Sequence, residues 1–466
     1  VKAVAALTIL LTTAISFAQT TAEIERELAS DIVLEEGAEI LADEKVDSTL
    51  IDEDTPVSHD QIAGEISLTA SRPWRAPNFK NQTNALGWDE NTFSVPVGLE
   101  KNFKFWLEIY SKYSTDQGVI HDAENIDLVY EEIDLTPISV RTDIGKWQKE
   151  ALKVRRVKQA KMRVINLLKK LEKLKDPSTL TDKEKKIWDY FAANLTGKKK
   201  FKLAQGKNRI RFQLGQKDRI IQGIFFSGRY LEDFEKIFRD EGLPIELTRM
   251  VFVESSFNVL ARSKVGASGL WQIMPATVKP YFKKSDAVDM RNHPLEATKI
   301  AAKFLRGNYR MLKAWPLAIT GYNHGPTGIA KLTKKFKTKD IGELVANKKT
   351  NKSFGFASRN FYASFLAVME VERKAAEYLG PVNWSQTLDS VSIKLGQSVN
   401  YSQVLSWFDG DDLKAQVFNP HISSLARKNK RPIPKWAVLS IPRSREAQVR
   451  RELADPSGRK QAELQE

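Results

Sequence analysis

The chain has 466 residues, 42% of them hydrophobic, enough for two or three domains with buried cores. It contains no cysteine, which excludes both disulfides and a lipid-bearing thiol. Lys and Arg outnumber Asp and Glu by 73 to 58, and a formal charge of +15 implies anionic surroundings, polymer or membrane surface.

In chain order, Lys2 precedes an apolar run from Ala3 to Ile15, and Ser16-Phe17-Ala18 forms a small-x-small site before Gln19. That pattern predicts a cleavable secretory signal peptide over 1–18, too short to span a bilayer. The first residue is Val, which suggests an alternative or adjusted start. The protein is therefore expected to be periplasmic or secreted. Charge alone would also suit nucleic acid, but no nucleic-acid module is visible and the export signal argues against it. Residues 19–96 read as an acidic, largely irregular leader, acidic from Glu23 to Asp60 and punctuated by Pro73, Pro77 and Pro96.

Residues 97–205 read as a helical region carrying a small β-hairpin. Phe103, Trp106, Leu107 and Tyr110 recur at helical spacing, and Val119–His121 with Ile126–Tyr130 reads as a strand pair. His121 has no partner His or Cys nearby and is read as structural, not metal-binding. Trp147 to Leu174 predicts a strongly basic helix, with Ala151, Val154, Val157, Ala160, Met162, Ile165, Leu168 and Leu171 as its apolar positions. It is either a surface for anionic wall polymer or a solvated face packed on the catalytic domain, the second being favoured. Pro177 ends it, and Thr181-Asp182-Lys183-Glu184 reads as the N-cap of another helix. Phe212 to Phe238 reads as further helix, with a junction at Arg229-Tyr230.

Residues 206–380 carry the chemistry. Leu243-Pro244 opens a helix on which Leu247, Val251 and Glu254 share one face, so the carboxylate lies on the apolar stripe near the helix's negative end. Both features favour the protonated form, as a general acid requires. The bland alternative is a structural Glu paired with Arg249 or Arg262. After Glu254 the next carboxylate is Asp286, and after Glu296 none occurs before Asp340. Gly266 and Gly269 permit turns, and Ser263, Ser268 and Gln272 offer neutral hydrogen bonds. Trp271 and Met274 are either an apolar floor or core. Tyr322 and Asn323, within Gly321-Tyr-Asn-His-Gly, add a phenol and an amide at the end of a second helix. His324 is read as a local hydrogen-bonding group. Leu295 to Leu312 predicts an amphipathic helix with Ala297, Ile300, Ala301, Phe304 and Tyr309 inward, Trp315 to Ile319 a buried run, and Phe361 to Val371 a late apolar helix. The set suits an uncharged, hydroxyl-rich polymer.

Glu254-Ser-Ser-Phe-Asn, Ser263, Gly266-Ala-Ser-Gly-Leu-Trp-Gln-Ile-Met-Pro, Thr277 and Gly321-Tyr-Asn-His-Gly together resemble the lysozyme-like lytic transglycosylases of bacterial cell walls, most closely the membrane-bound type D. The likeness extends from about Phe212 to about Glu377. It implies a mainly α protein with a lysozyme-like helical catalytic domain, in which Glu254 acts first as acid and then as base. Ser263, Gln272, Met274, Tyr322 and Asn323 would hold the sugar. Two positions depart from the pattern. Gly321 stands where relatives have Ala, and Ala357-Ser358-Arg359-Asn360-Phe361-Tyr362 lacks the Glu of the late-helix motif, so no role passes to a second Glu.

Residues 385–445 predict a small α+β module: a strand at Val391–Ile393, helices at Tyr401–Phe408 and Leu413–Phe418, and a strand at Val438–Pro442. The order is similar to lysin-motif modules, with Asn419-Pro420 and Ile441-Pro442 as landmarks, Gly396-Gln397-Ser398 a departure, and a long basic loop from Arg427 to Lys435. It is either glycan-binding or a structural appendage. Residues 446–466 read as a charged tail that frays after Arg443. The resemblance implies a peptidoglycan lytic transglycosylase that needs no cofactor or metal and works as a monomer on glycan strands. The alternatives are a goose-type lysozyme-like hydrolase and a silent wall-binding scaffold.

Overall fold

A computed structural model describes residues 92–197, 199–206, 208–350 and 354–454. The signal-peptide reading and all but the last residues of the acidic leader lie outside the described residues, as does the tail beyond 454. The described residues form two compact units, one within 95–219 and 345–367 and the other within 220–344 and 368–454.

In the first unit, α1 (Glu100–Ser111) leads into β1 (Gln117–Asp122) and β2 (Val129–Asp134), the expected hairpin. A third strand, β3 (Ile210–Leu214), completes an antiparallel sheet of order β2-β1-β3. This corrects the reading of Phe212 as helical: Ile210, Phe212 and Leu214 alternate with Arg211 and Gln213, the period of a strand. β3 can lie close because Gly118 has no side chain; a Cβ there would fall 2.7 Å from the Phe212 ring. The basic helix α2 (Lys146–Lys173) buries Val154, Val157, Ala160, Val164, Leu168 and Leu171 against the sheet, while Met162 is exposed rather than apolar core. α3 (Asp182–Asn194) starts on the capping box: the Thr181 hydroxyl accepts from the Glu184 amide, and the Glu184 carboxylate accepts from the Thr181 amide at 3.1 Å. His121 is buried between the rings of Phe105 and Phe356, and burial pushes its pKa down to about 3. Asn360, in the stretch corresponding to the late-helix motif, accepts from Asn102 and Trp106 at 2.8 and 3.1 Å.

α4 (Lys217–Ser227) passes into the second unit and meets α5 (Leu231–Asp240) at the expected junction, Arg229-Tyr230. A 3-10 turn (Ile245–Arg249) runs into the short α6 (Met250–Ser255). Then α7 (Pro294–Leu312), α8 (Trp315–His324) and α9 (Pro326–Phe336) pack in succession, each opened by proline in the first turn. α7 buries Ala297, Ile300, Ala301 and Leu305 as apolar spacing requires. Tyr309 corrects its prediction: it is 37% exposed and stacks on Trp315 at 4.3 Å.

The C-terminal part of this unit has the predicted order. β4 (Ser390–Lys394) pairs antiparallel with β5 (Val438–Pro442), and α10 (Tyr401–Ser406) and α11 (Asp412–Phe418) lie between them in sequence. The Asn419 side chain ties α11 to β5, donating to the Ser440 carbonyl and accepting from its amide, both at 2.8 Å. The segment after Arg443 does not fray at once. Residues Glu446–Ala454 form α12, because Val449 is buried in the module's core and Glu452 accepts from the Trp407 indole at 2.8 Å.

Candidate active site

α6 is held from its first turn by charge. Arg249, directly before it, pairs with Glu235 of α5 and, at 2.8 Å, with Glu372, all three side chains being buried. A buried cation with two carboxylate partners fixes the helix while offsetting its own desolvation. It also removes Arg249 as a partner for Glu254.

The helix ends abruptly. Ser256 and Phe257 take left-handed backbone conformations, φ 48° and 58°, uncommon for residues with side chains. The turn drives Phe257 into the core, its ring 4.7 Å from Phe252 and stacked on Phe234 at 6.2 Å. Glu254 is left on the last turn, half-buried, without an ion pair among the described residues. Arg262 is exposed and does not reach it. Desolvation by the surrounding atoms alone pushes the Glu254 carboxyl up to about 8, with no neighbouring carboxylate contributing.

The first signature segment, Glu254 to Pro275, goes on to fold as a tight loop beside this end; the second is Gly321 to Gly325. Gly266 and Gly269 sit at φ 90° and 78°, and Gln272 at 44°. Gly269 cannot be replaced without movement, since a Cβ would come within 2.2 Å of the Arg291 carbonyl. Trp271 is fully buried between the rings of Phe234 and Phe238, and its indole donates to Thr298 of α7 at 2.7 Å. Of the two sequence readings for Trp271, core is the one observed. Gln272 donates both amide hydrogens to the loop, to Ala261 and Gly269 carbonyls at 3.1 and 2.8 Å, which leaves its Oε1 as the remaining polar atom. The Ser263 hydroxyl accepts from the Ala267 amide at 2.9 Å. Met274 is half-buried, just before the turn of helix at Pro275–Val278.

The two signature segments meet through α8. Tyr322 donates to the Trp271 carbonyl at 2.8 Å, and its phenol is pushed up by burial and then by Glu254. Asn323 is buried next to it at 8% exposure. At Gly321 a Cβ would approach Leu312 at 3.1 Å and the Pro326 backbone at 3.3 Å, so the glycine suits the close packing of α7, α8 and α9. His324 is half-buried, and burial lowers its pKa.

Sequence reasoning missed several supporting groups. Ser255 donates to the Leu270 carbonyl at 2.8 Å, tying α6 to the loop. Asp289, Arg291 and Asn292 clamp the loop from behind. Their only local signal is the Asp-x-Arg-Asn run just before the proline that opens α7. A separate shallow cleft of about 470 Å³ lies in the C-terminal part, lined by residues including Tyr401, Asp412, Gln416 and Arg427. Its polar groups bind one another: Tyr401 and Gln416 donate to Asp412 at 2.8 and 2.6 Å, and Arg427 donates to Gln416.

The family model described as Transglycosylase SLT domain matches residues 235–345, the stretch that holds Glu254, the glycine-rich loop and Tyr322. Individual proteins align over much the same length. The Membrane-bound lytic murein transglycosylase D of Escherichia coli (strain K12) is 30% identical over 103 residues, 22% of this chain and 23% of that protein. The Putative tributyltin chloride resistance protein of Alteromonas sp. (strain M-1) is 37% identical over 100 residues, 21% of this chain and 48% of that protein. The chain thus spans less than half the length of each of these relatives.

Proposed function

We propose that the chain is a peptidoglycan lytic transglycosylase, cleaving the β-1,4 bond between N-acetylmuramic acid and N-acetylglucosamine without water. The observation that carries this reading is Glu254: a carboxyl unpaired among the described residues, raised to about 8 by desolvation, with no second carboxylate acting on it. A glycosidase with two carboxylates divides the acid and base roles between them. A single carboxyl must take both in turn.

Glu254 starts protonated, as its pKa allows near neutral pH, and gives its proton to the glycosidic oxygen. The bond from muramyl C1 to that oxygen breaks, and N-acetylglucosamine leaves with a new hydroxyl. The muramyl acetamido oxygen stabilises the cation at C1. The ionised Glu254 then takes the proton of the muramyl C6 hydroxyl as O6 bonds to C1, closing a 1,6-anhydro ring and restoring the acid. Gln272 Oε1, its amide hydrogens already used, suits an acetamido N–H. Ser263, Met274, Tyr322 and Asn323 complete the sugar-binding set, Tyr322 as an acceptor because its own proton is spent on Trp271.

The match to a relative named as a lytic murein transglycosylase supports action at the cell envelope, in the periplasm or beyond. The strand–helix–helix–strand C-terminal part supports a lysin-motif-like module, and the net positive charge supports contact with anionic wall or membrane surfaces. The test is mass spectrometry of digested sacculi: a goose-type hydrolase leaves reducing ends heavier by one water, and a silent scaffold leaves none.

A further inference from the structure

The loop from Gly266 to Ile273 has little regular structure: Ser268 makes two isolated bridges, to Arg262 and to Ile273, and the Gly269 amide donates to the Ala261 carbonyl at 2.9 Å. Its shape depends on what clamps it. One guanidinium nitrogen of Arg291 donates to both ends, to the Gly266 carbonyl at 2.5 Å and the Ile273 carbonyl at 3.2 Å. Asp289 orients that guanidinium, accepting from its Nε at 3.0 Å and its Nη2 at 2.7 Å. The neighbouring Asn292 accepts from Ser268 at 2.7 Å, and Gly269 lies against the Arg291 backbone.

The other side of this segment is equally engaged. The Asp289 amide donates to the His421 carbonyl and the Ser423 amide to the Ala287 carbonyl, both at 2.9 Å, around a bridge between Val288 and Ile422. Ala287, Val288 and Met290 are buried in the core of the C-terminal module. Residues 287–292 are therefore a strut between that module and the loop bearing Gln272.

We propose that Arg291, oriented by Asp289, is a positioning residue for glycan binding, setting the loop that presents Gln272 and the Trp271 carbonyl. The proposal rests on the functional reading above. Arg291 does not touch the reacting atoms; it acts through the loop, and the C-terminal module gives the strut a fixed back. A lysine has the charge but not the planar fork that serves Asp289 and the loop ends together.

The test is steady-state kinetics on soluble, uncrosslinked glycan strands with the full chain, comparing Arg291→Leu, Arg291→Lys and Asp289→Asn, with circular dichroism to confirm folding. Arg291→Leu is expected to raise the apparent KM by about tenfold or more, with a smaller loss in kcat. Asp289→Asn should shift KM in the same direction by less, and Arg291→Lys should recover part of the loss. A folded Arg291→Leu with unchanged KM overturns the proposal, as does a loss confined to kcat or one that follows the unfolded fraction. Should Arg291→Leu fail to fold, Asp289→Asn decides: a raised KM supports the proposal and an unchanged one overturns it. Glu254→Gln separates the two readings. If it stays active, the functional reading fails; if it is inactive while both strut variants bind normally, only the positioning role fails.

Discussion

The Tyr322 hydroxyl donates to the Trp271 carbonyl across 2.8 Å, joining the two signature segments at the side of Glu254. The bond leaves the phenol oxygen as an acceptor and fixes the backbone immediately before Gln272. Tyr322→Phe keeps the ring, which packs edge-on against Phe304 at 5.4 Å, and removes both the tie and the phenol oxygen offered to the sugar. It should destabilise the fold by about 1 kcal/mol in urea unfolding. Turnover on sacculi should fall by about tenfold or more, because the loop loses its register.

Glu254 makes stability and activity depend on pH in linked ways. Its pKa rises from an ordinary 4.5 to about 8 on folding. Below the lower value both states are protonated and folding is unpenalised. As pH climbs through this interval the unfolded chain ionises and stability is lost, until the native carboxyl ionises as well. Glu254→Gln should therefore melt higher than the wild type near pH 8 and alike near about pH 4. In the wild type, kcat/KM should decline as pH rises through about 8, since the first step needs the proton.

The His293 and His421 rings lie 4.6 Å apart where the strut meets the C-terminal module, both buried. Burial pushes His293 down to about 3 and His421 well below its ordinary 6.5; Lys299 opposes the charged form of His293, while Asp289 favours that of His421. With native values depressed, their contribution is present above the unfolded pKa and is lost as pH falls. Melting temperatures should drop between about pH 6.5 and pH 4, and His421→Phe should flatten that slope while keeping a ring in the stack.

Arg249 predicts a larger loss. Arg249→Met would leave Glu235 and Glu372 buried without their shared cation. A cost of about 3–5 kcal/mol in chemical denaturation is expected. Changing both glutamates to Gln in that background should recover part of it.

What was legible in the sequence was what local pattern controls. The capping box at Thr181, the amphipathic spacing of α7 and the apolar stripe of α2 follow from neighbours within a few residues. The scarcity of carboxylates after Glu254 was legible too, because it is visible without a fold. β3 was missed because its short alternation runs straight into the helix starting at Lys217. Tyr309 follows helical spacing, yet finds a stacking partner in Trp315 at the helix end. The strut was hidden for another reason: Asp289 and Arg291 act through backbone carbonyls of residues far off in sequence, and a carbonyl leaves no mark in the residue pattern. The left-handed turn at Ser256-Phe257 was equally hidden, since its stabilisation comes from where the Phe257 ring is buried.

The central claim is that one carboxyl, Glu254, serves as acid and then as base. Its most direct measurement is mass analysis of the muropeptides released from purified sacculi by the wild type and by Glu254→Gln. The account predicts 1,6-anhydromuramyl ends from the wild type, each lighter by one water than a hydrolytic end, and only background release from the variant. Reducing muramyl ends from the wild type, or equal release by both proteins, would contradict it.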